Sequence, residues 1–166
     1  MTPEIEASIA GVALPPVSQI GMVVHDARRT AQIYESTLGI GPFTIYDFTP
    51  DKQWYLGRES RLTLRQAKAM LGPVELEIMQ PLEGDSLFSR NLAERGEGLD
   101  HLGFNVRDFD GTCAAMAAAG YEALMRAESY VPTYDGTVRA CVFDTRSVGG
   151  VLFEIIWKSW LPECQP

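Results

Sequence analysis

Carboxylates set among apolar residues give the first chemical signal in this chain. Glu154 stands in the middle of Gly149-Gly150-Val151-Leu152-Phe153-Glu154-Ile155-Ile156-Trp157. Two glycines open this run, and it is rich in β-branched and aromatic residues, so it reads as a strand covered on both faces. A carboxylate taken out of water costs several kcal/mol unless a cation, an arginine or a metal ion meets it. The plainer way to meet it is a hydrogen bond from a tyrosine or arginine at an open barrel mouth. The pattern, however, occurs twice. Gly72-Pro73-Val74-Glu75-Leu76-Glu77-Ile78 matches the first seven residues of the run at an offset of 77, and Gln19-Ile20-Gly21-Met22 matches His101-Leu102-Gly103-Phe104 at an offset of 82. Each half of the chain thus opens on a strand bearing an amide or imidazole (Gln19, His101) and closes on a strand bearing a carboxylate (Glu77, Glu154).

The elements that must position these residues follow the same duplicated plan. Val17 to Val24 alternates as a strand with Gln19, Gly21 and Val23 on one face. Asp26 is a natural N-cap for a helix over 27–38 that Gly39 ends. Strands are expected over 42–48, 58–69 and 72–80, with a loop over 49–57 that carries Trp54 and Tyr55. A connector over 82–98 contains a helix from Ser86 to Arg95. The second half repeats the plan, with a strand over 99–106, an alanine-rich helix over 108–119, and strands over 121–129, 137–144 and 150–157. The class is therefore α+β: two βαβββ repeats forming one cupped, barrel-like mixed sheet. Its boundaries are a leader at 1–16, a single domain at 17–158 (repeats 17–81 and 99–158) and a tail at 159–166. A unit of this size leaves one sheet face open, and pairing two units covers it.

Composition narrows the function. A formal charge of −8 argues against a nucleic-acid surface, which needs a basic face. Cys113, Cys141 and Cys164 show no paired-cysteine or zinc spacing and read as reduced thiols of a cytoplasmic protein. Neither a secretory leader nor a run long enough to span a membrane is visible.

Val74-Glu75-Leu76-Glu77-Ile78-Met79-Gln80-Pro81-Leu82, Gly98-Leu99-Asp100-His101-Leu102-Gly103-Phe104 and Gly149-Gly150-Val151-Leu152-Phe153-Glu154 together resemble the vicinal oxygen chelate superfamily, over about residues 17 to 158. That superfamily includes glyoxalase I, methylmalonyl-CoA epimerase, extradiol dioxygenases and fosfomycin-resistance proteins, and the resemblance is greatest to the epimerase and glyoxalase-like branch. It implies a single divalent ion held by Gln19, Glu77, His101 and Glu154. Gln19 departs from the epimerase-like pattern, which has histidine there. An amide oxygen favours harder ions, so cobalt, manganese and magnesium gain relative to zinc, with nickel also in range.

The resemblance also implies metal-assisted proton transfer next to a carbonyl, by an isomerase, epimerase or lyase acting on a small carbonyl acid or thioester. Glu59 is the nearest positional match for the base. Asp47 and its repeat counterpart Glu128 are the alternatives. A homodimer is the family's common assembly. Two rival readings remain: a metal-free protein that sequesters a small hydrophobic or aromatic compound, favoured by Gln19 and the Trp54-Tyr55 loop, and, lower, an extradiol-type dioxygenase, which wants two histidines at the ligand positions.

Overall fold

Strict alternation along β1 (Gln19–Val23) buries Gln19, Gly21 and Val23 on one face and turns Ile20 and Met22 to the other. The computed structural model describes residues 11–165; residues 1–10 of the expected leader lie outside the described residues. β1 runs parallel to β6 (Val74–Glu83) on one side and antiparallel to β7 (Gly98–Asn105) on the other. Outward from this seam, the first half adds β5 (Thr63–Leu71) and β2 (Thr44–Phe48). The second half adds β10 (Leu152–Lys158), β9 (Gly136–Phe143) and β8 (Ala123–Val131). The two halves therefore extend from β1 and β7 in the same order, as a duplicated unit requires, and the mixed sheet curls into a cup.

Two helices close the outer face and a third lies within the cup. α1 (Ala27–Leu38) is capped by the Asp26 carboxylate, which accepts from the Arg29 N–H, and it ends at Gly39 in the left-handed region at φ 69°. Its small residues Ala27 and Ala31 lie against Ala67, Leu76 and Ile78 of the sheet. α3 (Phe109–Ala118), capped by Asp108, packs Phe109, Cys113 and Met116 against Phe104, Cys141, Phe143 and Ile155. The leader joins this cluster through Val12 and Leu14. Between the halves, α2 (Leu87–Arg95) lays Leu87 and Phe88 against Val23, Leu64, Met79, Met125, Val142 and Leu152 on the cup's inner side. Each fully buried side chain of this size contributes about 1.5–3 kcal/mol.

Two expectations are corrected. The loop expected over 49–57 contains β3 (Lys52–Tyr55), which turns at Leu56 and Gly57, both at positive φ, into β4 (Arg58–Glu59). β3 pairs with β8 of the opposite half, so the first repeat reaches across and extends the second repeat's edge. Pro50, Asp51 and Gly57 supply the turn chemistry that made the segment look like a loop, while β8, the partner that ties it into the sheet, lies 70 to 76 residues away in register. The strand expected over 58–69 is accordingly broken, with β4 and β5 separated by residues 60–62. The tail is held by a hydrogen bond from Trp157 Nε1 to the Cys164 carbonyl (2.9 Å) and by stacking of Trp160 on Tyr134. All three cysteines are free and buried.

Candidate metal centre

The seam strands are built to let four side chains meet. In the β1–β7 ladder Gln19 lies opposite Gly103 and His101 lies opposite Gly21. The parallel ladders set Glu77 beside Gly21 and Glu154 beside Gly103. Each glycine is thus flanked by two of the four residues, and its missing side chain is the space they use. A Cβ on Gly21 would come within 2.0 Å of His101 Cε1, and one on Gly103 within 2.9 Å of Gln19 Cβ. The repeat that was visible in the sequence is therefore a local two-fold arrangement in space.

The four groups converge. His101 Nε2 is 3.1 Å from Gln19 Oε1, 3.1 Å from Glu154 Oε2 and 3.8 Å from Glu77 Oε2. One ligand atom each from Glu77, His101 and Glu154 lies within 4.8 Å of the others. All are buried: His101 is fully enclosed, Gln19 and Glu77 are 4% exposed and Glu154 is 8% exposed. Asp100 Oδ1 lies 3.2 Å from His101 Nδ1, and Asp100 is itself fixed by the Asn91 amide, which donates to Oδ2 at 2.8 Å. This partner orients the ring and turns Nε2 toward the carboxylates, the role a carboxylate commonly plays behind a metal-binding histidine.

A layer of charge surrounds the centre. Glu77 Oε1 accepts from the Gln66 amide and from Lys68 Nζ, both at 2.9 Å. Lys68 Nζ is also 3.3 Å from Glu75 Oε1, and Lys158 Nζ is 4.0 Å from the same oxygen. Burial alone would lower the Lys68 ammonium pKa, but Glu77 and Glu75 outweigh it and hold the group well above its ordinary value. Burial pushes the Glu75 carboxyl up, yet Lys68, Lys158 and the Gln19 amide bring it below the usual carboxylate value. For His101, burial disfavours the imidazolium, and Glu154 and Asp100 overcome this and raise its pKa well above the ordinary value. Four carboxylates (Glu75, Glu77, Asp100 and Glu154) thus face two ammonium groups, leaving two negative charges over. A protonated His101 offsets one of them. A divalent cation offsets both with the imidazole neutral, and two carboxylates, an imidazole nitrogen and an amide oxygen are an ordinary donor set for such an ion. Glu77, His101 and Glu154 could hold a metal ion.

The structure does not bring the three expected bases to this point. Asp47 accepts from Arg65 Nε and Nη2 at 2.7 and 2.9 Å, and its register with Arg65 puts it on the face that α1 covers. Glu128 contacts Lys52 at 3.3 Å and Arg139 at 3.8 Å, on the α3 side of the sheet. Glu59 is exposed on the edge strand β4, and its register through Trp54 and Arg126 sets it on that same outer side. Strand alternation is the cause: one residue's difference in register sends a side chain to the opposite face. Gln66, Lys68, Glu75 and Asp100 are the site residues that sequence reasoning missed. The Glu75-x-Glu77 spacing already put both acids on one face. Lys68, by contrast, meets Glu77 only through the β5–β6 register.

A cupped sheet of two βαβββ units, with two acids, an imidazole and an amide at its seam, defines the class of protein. The chain belongs to the glyoxalase/bleomycin resistance protein/dioxygenase superfamily, whose family model matches residues 18–141. No curated protein matches the chain. Among solved structures it is similar to a variant of Streptomyces coelicolor methylmalonyl-CoA epimerase in complex with 2-nitronate-propionyl-CoA, at 23% identity and a TM-score of 0.60, covering 89% of this chain and 99% of that one. It is similar also to a methylmalonyl-CoA epimerase in complex with methylmalonyl-CoA and NH4+ (22%, TM-score 0.61, 93% and 100% covered). The epimerase from Mycobacterium tuberculosis matches at 19%, with a TM-score of 0.56 and 88% and 89% covered. These likenesses show the fold. No helix among the described residues is long and apolar enough to cross a membrane.

Proposed function

We propose that the protein is a metal-dependent isomerase or epimerase, or a lyase of the same chemistry, that moves a proton on the carbon next to the carbonyl of an acid or thioester. The observation that carries this reading is the convergence of Gln19 Oε1, Glu77, His101 Nε2 and Glu154 in a buried cup that holds four acids and two lysines. These four residues would hold one divalent ion. When bound, such an ion draws electron density from a carbonyl oxygen and so acidifies the neighbouring C–H. The epimerases of like fold solved with methylmalonyl-CoA support a thioester among the candidate substrates.

The chain's own residues then divide the work. Glu77 is anchored on one oxygen by Gln66 and Lys68 and serves as a fixed ligand. Among the described residues Glu154 contacts only His101 of the charged or amide groups, so its carboxylate is the freer of the two, and it replaces Glu59 as the acceptor of the proton. Asp100 holds the His101 ring in place, and Phe88 lies on its other side with ring centroids 6.2 Å apart. The test is deuterium exchange at the carbon beside the carbonyl of candidate thioesters, with and without added Mn2+ or Co2+. Exchange that needs the ion and is lost in Glu154→Gln supports the reading, whereas ion-independent exchange, or ligand binding untouched by Glu154→Ala in a metal-free protein, favours the sequestering protein instead. A dioxygenase has less support, because His101 is the single imidazole at the centre.

A further inference from the structure

We propose that Glu75 is a positioning residue that fixes which end of the Gln19 amide faces the centre. This rests on the metal reading above. An amide side chain presents two ends of nearly equal shape and opposite polarity, a carbonyl oxygen that can ligate a cation and an NH2 group that cannot. At this centre the carboxylates of Glu77 and Glu154 would attract the NH2 end and hold the oxygen away from a cation. Glu75 competes with them. It lies directly opposite Gln19 in the β1–β6 ladder, and its Oε1 accepts from Gln19 Nε2 at 2.8 Å, which leaves Gln19 Oε1 3.1 Å from His101 Nε2. The same Glu75 oxygen is 3.3 Å from Lys68 Nζ and 4.0 Å from Lys158 Nζ, so the acceptor is itself held from two sides. With Gly103 beneath it, the amide rests on backbone, and Glu75 is its hydrogen-bond partner on the side away from the centre.

A histidine in place of Gln19 would need no such choice of ends, and that difference gives the experiment. Mn2+ affinity is measured by calorimetry for the natural chain, Glu75→Met, Gln19→His and the double variant. Glu75→Met is expected to weaken binding by about 10–100-fold in the natural background, the usual effect of losing a group that orients a ligand. In the Gln19→His background the loss should be smaller by about tenfold or more, because only the charge effect remains there. The loss of one negative charge acts equally in both backgrounds and cancels in the comparison. Equal losses in the two backgrounds would overturn the positioning role alone. A natural chain that binds no Mn2+ would overturn the metal reading and this role with it. Should Glu75→Met fail to fold, Glu75→Ala, which also removes the acceptor of the Gln19 amide, is read in the same way.

Discussion

At the scale of the residue, the two acids of the centre differ in what restrains them. Glu77 is tied to Gln66 and Lys68, whereas Glu154 meets only His101 among the described residues. Glu154→Gln keeps the shape and removes the proton acceptor, so exchange of the substrate's C–H should fall by about 10²–10⁴-fold, the usual contribution of a positioned base, with the fold intact by circular dichroism. His101 gives a pH prediction whose sign is fixed by its neighbours. Its pKa in the fold is raised above the unfolded value by Glu154 and Asp100 against the opposing effect of burial. The ion-free protein therefore has the full benefit of the imidazolium below about pH 6.5 and loses it as the pH rises through the raised value. Melting temperatures of chelator-treated protein should decline over that window, and a melting temperature that rises there would contradict the assignment. Over the same window Mn2+ affinity should increase with pH, because the ion must displace the proton on Nε2.

At the scale of the element, the β1–β7 seam is the part that makes convergence possible. Gly21 and Gly103 are required there by close approach, as their φ angles are ordinary. Gly21→Ala would drive a methyl group into the His101 ring, and that ring is fully buried. The expected result is a loss of about 1–3 kcal/mol from overpacking, read by denaturant unfolding, together with a drop of at least tenfold in Mn2+ affinity. Unchanged metal binding in Gly21→Ala would mean that His101 is not a ligand. Much of this element was legible in the chain: the Gln19-x-Gly21 and His101-x-Gly103 pairs share one face by simple alternation, and the repeat set them in register. What alternation left open was the face of residues outside the repeat's short motifs. Met79 and Met125 point into the cup while Phe104 and Phe143 pack under α3, because hydrophobic residues occupy both faces of a sheet covered on both sides. Asp47, Glu59 and Glu128 lie on the outer side for the same reason, since polarity alone does not tell an inner acid from one on the outer face.

At the scale of the whole molecule, duplication turns two half-sites into one. Each repeat brings one nitrogen or amide group and one acid, and neither half alone assembles the donor set. The β3 hairpin, absent from sequence expectations because its partner β8 is remote, ties the first repeat to the far edge of the second. A ligand that joins groups from both halves should stabilise them together. At an ion concentration about 100 times the dissociation constant the gain is about 2.7 kcal/mol, visible as a rise in melting temperature that His101→Ala abolishes. The gathering of four acids around Lys68, Lys158 and His101 in the cup is a property of the whole assembly. Direct determination of metal content, after purification without chelators and dialysis against a mixture of Mn2+, Co2+, Ni2+, Mg2+ and Zn2+, is the most direct check. One divalent ion per natural chain, and none in Glu154→Ala or His101→Ala, is the predicted result; a natural chain that holds no ion, or variants that hold as much as it does, would contradict the account.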